Sequence, residues 1–342
     1  MLGTLSGLLT RDLAIDLGTS HTRIWVRGRG VACREPSFVA VREGEEGRRR
    51  VVAVGSEARA LQGRTPAGVQ VVRPIREGVV ADFQATEDLL GHLIRRVQGG
   101  RSFLSLRAVV AIPFGTTEIE KRAVRDSAEA AGVRHVSLVE QPIAAALGAG
   151  LDISRPDGNL VADIGGGTTE VAVLSLGGIV HSHAARVGGD HLDQALLAWV
   201  EAHHGLLLGS RTAEDLRIRL GSALPGVVEG AVEVRGRDVR TGFPRAVQVT
   251  ASEIVEALED PLTHIVDVLR RALDRTPPEL VSDIVDKGIV LTGGCALFKG
   301  LDERIRRVTG LPVIVADDPY STVVTGAGKV LEDAERWAGA LT

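Results

Sequence analysis

Val161-Ala162-Asp163-Ile164-Gly165-Gly166-Gly167-Thr168-Thr169-Glu170-Val171-Ala172-Val173 is the stretch on which the reading of this chain turns. Two apolar, β-branched runs flank a turn of three glycines and two threonines. The pattern predicts a buried strand over Leu160 to Ile164 and a partner strand over Val171 to Leu176. Consecutive glycines allow positive φ and a close approach of the backbone to a ligand. Their N–H groups, with the Thr hydroxyls, can form an anion-binding concavity. Asp163 enters the turn from the end of a strand, and a divalent cation would explain a carboxylate beside a phosphate cradle. The same residues suit a glycine-rich hairpin with Asp as turn former. Taken alone, the stretch leaves both readings open.

An echo lies upstream. Asp12 to Val26 reads as strand, turn and strand, with the turn Asp16-Leu17-Gly18-Thr19-Ser20-His21-Thr22. Asp16 and Asp163 are 147 residues apart, which suggests two like-folded halves with a phosphate held between their turns. Neither glycine turn runs directly into a helix, so neither is a Walker loop or a dinucleotide fingerprint.

Composition narrows the function. The chain has 342 residues, enough for two domains. Net charge is −4 and aromatics are 3%, so neither a basic footprint nor base-stacking platforms for nucleic acid are expected. Two separated cysteines, Cys33 and Cys295, fit a reducing cytosol. No apolar run reaches the ~18 residues of a membrane span, and no secretory signal pattern is evident.

Other segments supply candidates. Leu2, Leu5, Leu8 and Leu9 share one helical face in the first ten residues, as in a frayed terminus or a short surface-lying helix. The charged run Arg42 to Arg50 reads as a hairpin tip, and Glu77 to Ala81 as a short connection. Helices are predicted over Ala85 to Val97 and Thr117 to Ala131. Between them, Phe103, Leu104 and Leu106 are apolar where a loop is expected, and either fold back or form an exposed knob. Glu140-Gln141-Pro142-Ile143-Ala144-Ala145-Ala146 joins a strand to a helix, with Pro142 in the first turn and small residues for close packing.

In the second half, Gly188-Gly189 turns into a helix, and Glu214, Asp215, Arg217 and Arg219 lie on a polar-faced helix over Thr212 to Gly221. A long helix over Glu253 to Leu273 is expected to break or restart at Pro261. Thr292-Gly293-Gly294-Cys295-Ala296-Leu297 reads as strand, glycine pair and helix. Gly326-Ala327-Gly328-Lys329 is expected to open the last helix. His181 and His183 lack the spacing of a metal site, and no nucleophile elbow is present.

Together the two Asp-Gly-Thr turns, the Glu-Gln-Pro-x-Ala-Ala junction, the Thr-Gly-Gly turn and the Gly-x-Gly-Lys segment resemble the actin and heat-shock-chaperone ATPase superfamily. Within it the chain is most similar to the MreB family, the bacterial actins of cell shape, over about residues 12 to 335. The likeness includes Glu35-Pro36-Ser37, Gly63-Arg64-Thr65-Pro66, Arg73-Pro74, Gly78-Val79-Val80-Ala81-Asp82 and Thr276-Pro277-Pro278-Glu279-Leu280. It implies an α/β, actin-like ATPase fold: two similar βαβ-type domains around a nucleotide cleft, each with a smaller inserted subdomain. The expected divisions are residues 1–11 as a membrane-contact segment, 12–153 as domain I (insertion about 32–76), 154–335 as domain II (insertion about 190–252), and 336–342 as a tail.

The resemblance assigns roles. Asp16, Gly18, Thr19 and Ser20 form the first phosphate loop; Gly165, Gly166, Gly167 and Thr168 form the second. Asp16 and Asp163 hold Mg²⁺ of bound ATP or ADP. Glu214 and Arg217 contact ribose, and Gly293, Gly294 and Leu297 the adenosine. Gln141 and Asp163 are the catalytic candidates. Leu2, Leu5, Leu8, Leu9, Phe103 and Leu104 stand where the family touches the membrane. The implied partners are further copies in head-to-tail protofilaments, the inner membrane surface, and cell-shape proteins of the MreC, MreD and RodZ type.

Three departures stand out. Gln141 replaces the usual Glu and can orient a water but not deprotonate it. Cys295 replaces a third glycine and would be strained if that position needs positive φ. Arg217 replaces a Lys. They leave a regulatory or pseudo-ATPase as the alternative. A chaperone would need a substrate-binding domain, and a kinase of this fold an acceptor pocket; neither is legible.

Overall fold

The computed structural model of the chain describes residues 10–44, 49–99 and 105–342. Leu2, Leu5, Leu8, Leu9, Phe103 and Leu104 lie outside the described residues. Two compact units form. The first takes in the described residues up to Asp157, with Leu174–Val180 and Tyr320–Thr342; the second is Gly158–Val173 and His181–Pro319. The units therefore interleave along the chain.

In the first unit, β1 (Thr10–Leu17), β2 (His21–Val26) and β3 (Gly30–Pro36) make an antiparallel meander. A small sheet of β4 (Val39–Glu43), β5 (Arg49–Val54) and β6 (Val69–Val72) follows, in the order β5-β4-β6. β7 (Ile75–Arg76) and β8 (Val79–Val80) form a tight hairpin, turned by Glu77 and Gly78 at φ 49° and 80°. β9 (Ser105–Ile112) and β10 (His135–Glu140) then add parallel strands, giving β10-β9-β1-β2-β3. Leu13 and Ile15 of β1 are fully buried, in one core with Leu89, Leu93 and Ile94 of helix Phe83–Gln98. Ala14, on the opposite face of the strand, is fully buried too, so this central strand is covered on both sides. Helix Glu118–Ala130 starts with a complete capping box at Thr117 and Glu120.

Helices Gln141–Gly148 and Thr322–Glu332 cross within this unit at glycines. A Cβ on Gly326 would lie 1.7 Å from the Ala144 carbonyl oxygen, and one on Gly148 would lie 1.8 Å from that of Thr322. Lys329 Nζ donates to the Leu147 carbonyl at 2.7 Å. Gly326 and Gly328 therefore sit inside the last helix rather than opening it, and the crossing explains them. A side chain on Gly328 would strike the Trp25 ring.

The second unit repeats the plan. β11 (Asn159–Ile164), β12 (Thr169–Ser175) and β13 (Gly178–Ala185) lie side by side, and β17 (Ile289–Thr292) and β18 (Val313–Val315) continue from β11 in parallel. The order β13-β12-β11-β17-β18 matches that of the first sheet, as the Asp16/Asp163 echo anticipates. Its inserted sheet is β14 (Leu206–Leu207), β15 (Ala231–Asp238) and β16 (Pro244–Thr250). Helix Ala251–Asp274 runs unbroken through Pro261. A proline inside a helix costs ~3 kcal/mol. Here Ile254, Leu258, Leu262, Ile265, Leu269 and Ala272, all buried at helical spacing, outweigh it. Among the described residues, no helix is long and apolar enough to cross a membrane.

Candidate functional site

In both units the candidate residues gather at the carboxyl ends of parallel strands, where open α/β sheets bind ligands. In the first unit Asp16 pairs with Ala111 of β9, and Val139 of β10 pairs with that same residue. Gln141, two residues further on, thus emerges on the strand-end side that carries the Asp16 turn. In the second, Asp163 pairs with Thr292 of β17, so the Gly165 turn and the Gly293 turn leave neighbouring strand ends together.

The first turn is tied down from behind. The Gly18 carbonyl accepts from Ser37 Oγ at 2.7 Å, and the Ser20 carbonyl accepts from Ser37 N–H at 2.9 Å. Thr19 Oγ1 accepts from Gly78 N–H at 2.9 Å, and the Thr19 carbonyl from Arg73 at 3.2 Å. With its carbonyls so occupied, the N–H groups of Gly18, Thr19 and Ser20 have no acceptor among the described residues. Outward-facing amides of this kind suit an anion. Gly18 is required by contact rather than φ: a Cβ there would lie 2.6 Å from the His21 carbonyl oxygen.

Asp16 is 5% exposed, and Arg23, its cross-strand partner in the β1–β2 hairpin, donates Nη1 to Oδ2 at 2.9 Å. Burial pushes the Asp16 carboxyl up, against the pull of Arg23. Arg23 escaped the sequence reading, although its place in an alternating strand six residues past Leu17 put it opposite Asp16. Gln141 is 8% exposed, and its amide makes no hydrogen bond among the described residues. Burial likewise pushes up its neighbour Glu140, with Lys121 opposing.

In the second unit the glycine turn has the same logic. Gly189 N–H donates to the Gly165 carbonyl at 3.1 Å, and Asp190 N–H to that of Gly166 at 2.7 Å. The N–H groups of Gly166 and Gly167 have no acceptor among the described residues. Positive φ, expected for these glycines, is absent at all three of Gly165, Gly166 and Gly167. Close packing is found at Gly188 instead. A Cβ on Gly188, against which the turn lies, would come within 2.6 Å of the Gly165 carbonyl oxygen.

Gly293, at φ 82°, does need the left-handed region, and its bare face lies against Asp163: a Cβ would sit 2.4 Å from Oδ1. Cys295 has a negative φ and is unstrained; it is buried, and its thiol donates to the Gly165 carbonyl at 3.3 Å. Gly294 to Leu297 form a short 3₁₀ turn, and a full helix begins only at Leu301. Leu297 is exposed.

Helix Ser210–Leu220 carries Glu214 and Arg217 to this cluster. Its end closes on Phe298, whose ring would meet any side chain at Gly221. Arg217 makes a two-point contact with Asp193, Nε to Oδ1 at 2.6 Å and Nη2 to Oδ2 at 3.4 Å. Burial pushes Asp193 up to about 6 despite that pairing. Asp193 was not legible in sequence, since nothing local links it to a helix 24 residues away.

Among the described residues, no three of His, Cys, Asp and Glu converge as a metal cage. Mg²⁺ seldom uses one, preferring one or two carboxylates with water and phosphate. Asp163 fits that role. Asp16 fits it in part, because Oδ2 is held by Arg23 and Oδ1 alone is left.

The profile of the MreB/Mbl protein family matches residues 10–338. The cell shape-determining protein MreB of Escherichia coli K12 is 47% identical, over 100% of this chain and 99% of its own length. Mbl of Bacillus subtilis 168, also named cell shape-determining, is 40% identical over 96% of this chain and 98% of its own. Among solved structures, MreB5 of Spiroplasma citri bound to ADP superposes with a TM-score of 0.89 at 32% identity, covering 96% and 98% of the two chains. A MamK double helical filament gives 0.77 at 22% identity, covering 94% and 99%, and shares the actin-like fold.

Proposed function

Because the chain belongs to the MreB/Mbl family, we propose that it binds ATP and ADP, assembles with copies of itself into filaments, and organises cell shape at the inner face of the membrane. One observation carries the nucleotide reading. The Gly18–Ser20 turn has its three carbonyls bonded and the Gly165–Gly167 turn those of Gly165 and Gly166, while N–H groups of Gly18, Thr19, Ser20, Gly166 and Gly167 have no acceptor among the described residues. The structures of MreB5 of Spiroplasma citri with ADP and with AMPPNP support that reading.

The geometry supports the following roles. Each turn offers its N–H groups to nucleotide phosphate. The turn of Gly293 and Gly294, with exposed Leu297, meets the base, and Glu214 serves the ribose. Arg217 acts mainly by holding Asp193. Asp163 is the carboxylate for hydrated Mg²⁺, which neutralises phosphate charge when bound. Gln141, at the first turn of its helix, orients a water for in-line attack on the terminal phosphate. An amide cannot accept the water's proton, so hydrolysis is slow.

Filament formation and membrane action rest on the family resemblance, with Leu2, Leu5, Leu8, Leu9, Phe103 and Leu104 as the lipid contacts and MreC-, MreD- and RodZ-type proteins as partners. Co-sedimentation tests both. With ATP, Mg²⁺ and liposomes the protein is expected to pellet, and to pellet less without residues 1–10. A protein that stays in the supernatant at every concentration, with and without lipid, would overturn the filament and membrane parts.

A further inference from the structure

The first turn carries a charge that the nucleotide reading does not use. Arg23 and Asp16 pair with side-chain exposures of only 12% and 7%. They face each other in register across β1 and β2, at the mouth of the Gly18–Ser20 turn. The guanidinium lies 6.0 Å from the centre of the Tyr320 ring, a second contact that fixes it. Only Nη1 is engaged. Nε and Nη2 have no partner among the described residues, and neither is a sealed-off nitrogen.

A guanidinium is planar, permanently charged and carries five donors, so it can bridge a carboxylate and a phosphate at once. A magnesium ion drawn to Asp16 would compete with Arg23 for the charge of that carboxylate. Separating the nearly buried pair to admit the ion would strip Arg23 of its counter-charge.

We propose that Arg23 is the resident counter-ion of the first turn. Its guanidinium holds Asp16 and offers its free donors to the nucleotide phosphate, so retention of nucleotide depends only weakly on Mg²⁺. The proposal rests on the nucleotide reading above and adds which group supplies the positive charge.

ADP binding, measured with Mg²⁺ and with EDTA, tests it on the wild type, Arg23→Gln and Arg23→Lys. A purely structural ion pair would alter melting temperature and leave the Mg²⁺ dependence as it was. For the wild type, EDTA should weaken ADP binding by less than about threefold, well under the tenfold that 1.4 kcal/mol represents. In Arg23→Gln, EDTA should weaken it at least about tenfold and Mg²⁺ restore it, because the freed Asp16 now takes the ion. Arg23→Lys should fall between, keeping the charge without the fork. A wild type that loses tenfold or more in EDTA overturns the proposal, even if the glutamine variant fails to fold. Absence of ADP binding by the wild type in either buffer would instead overturn the nucleotide reading itself.

Discussion

The thiol of Cys295 donates to the carbonyl of Gly165 across 3.3 Å and fastens the Gly293 turn to the glycine turn in the second unit. The sulfur occupies the space beside Gly189, where a side chain would approach it to 3.2 Å. Cysteine here is thus a small buried donor, not a reactive group. Burial pushes its thiol up to about 11, and burial with Glu35 does the same for Cys33. Thiolate, the nucleophile, is therefore scarce at neutral pH. In the folded protein a disulfide reagent should titrate neither cysteine within minutes, and both after denaturation. Rapid release of one equivalent from the native protein would contradict this.

The glycine crossing that holds the Gln141 helix should be intolerant of a methyl group. Gly326→Ala would drive Cβ into the Ala144 carbonyl. Overpacking of this kind costs typically 1–3 kcal/mol, and backbone contacts lie at the upper end. The melting temperature should fall by several degrees. Gly339→Ala, where a Cβ meets nothing within 4 Å, should leave it almost unchanged. Equal effects from the two would refute the crossing argument.

The Asp193–Arg217 pair makes a pH prediction. A carboxyl at about 6 in the folded chain, above its ordinary 3.8, binds more protons folded than unfolded through that interval. Its contribution to stability is complete below about pH 4 and is lost as pH rises through about 6. A shift of this size corresponds to up to about 3 kcal/mol. Denaturant titrations of wild type and Asp193→Asn at pH 5 and pH 7 measure the effect. The wild type's stability relative to the variant should decline from pH 5 to pH 7; an increase would show that the ion pair, rather than burial, dominates.

Gln141 and Asp163 separate cutting from holding. Gln141→Glu supplies a base and should keep or raise phosphate release at saturating ATP. Burial already pushes the neighbouring Glu140 up, with Lys121 opposing. Asp163→Ala should abolish Mg²⁺ binding to the ADP-loaded protein, as read by calorimetry with Mg²⁺ as titrant. Unchanged affinity in that variant would remove Asp163 from the metal.

Much of the fold was legible because the two Asp-led turns are punctuated by glycine between apolar strands, a signal local in sequence. The repeat at Asp16 and Asp163 anticipated two sheets of one strand order. Pro142 and Thr117 marked helix starts as well. What escaped was long-range. Pro261 was read as a break because the cost of proline is local, whereas the burial that outweighs it comes from the rest of the second unit. Gly326 and Gly328 looked like a helix opening because their reason, the close approach to Ala144 and Trp25, lies far away in the chain. Arg23 and Asp193 went unnoticed for the same cause: each matters through a partner across a strand pair or on another helix. Tyr320–Thr342 belongs to the first unit although it follows the second in sequence, and no composition change marks that return.

The central claim is that the glycine turns bind nucleotide phosphate. Isothermal titration of the purified, folded chain with ADP and with ATP tests it most directly. The account predicts saturable binding of one nucleotide per chain, weakened when Gly18 or Gly166 is replaced by a residue with a side chain. No heat of binding with either nucleotide, from protein that melts cooperatively, would contradict it.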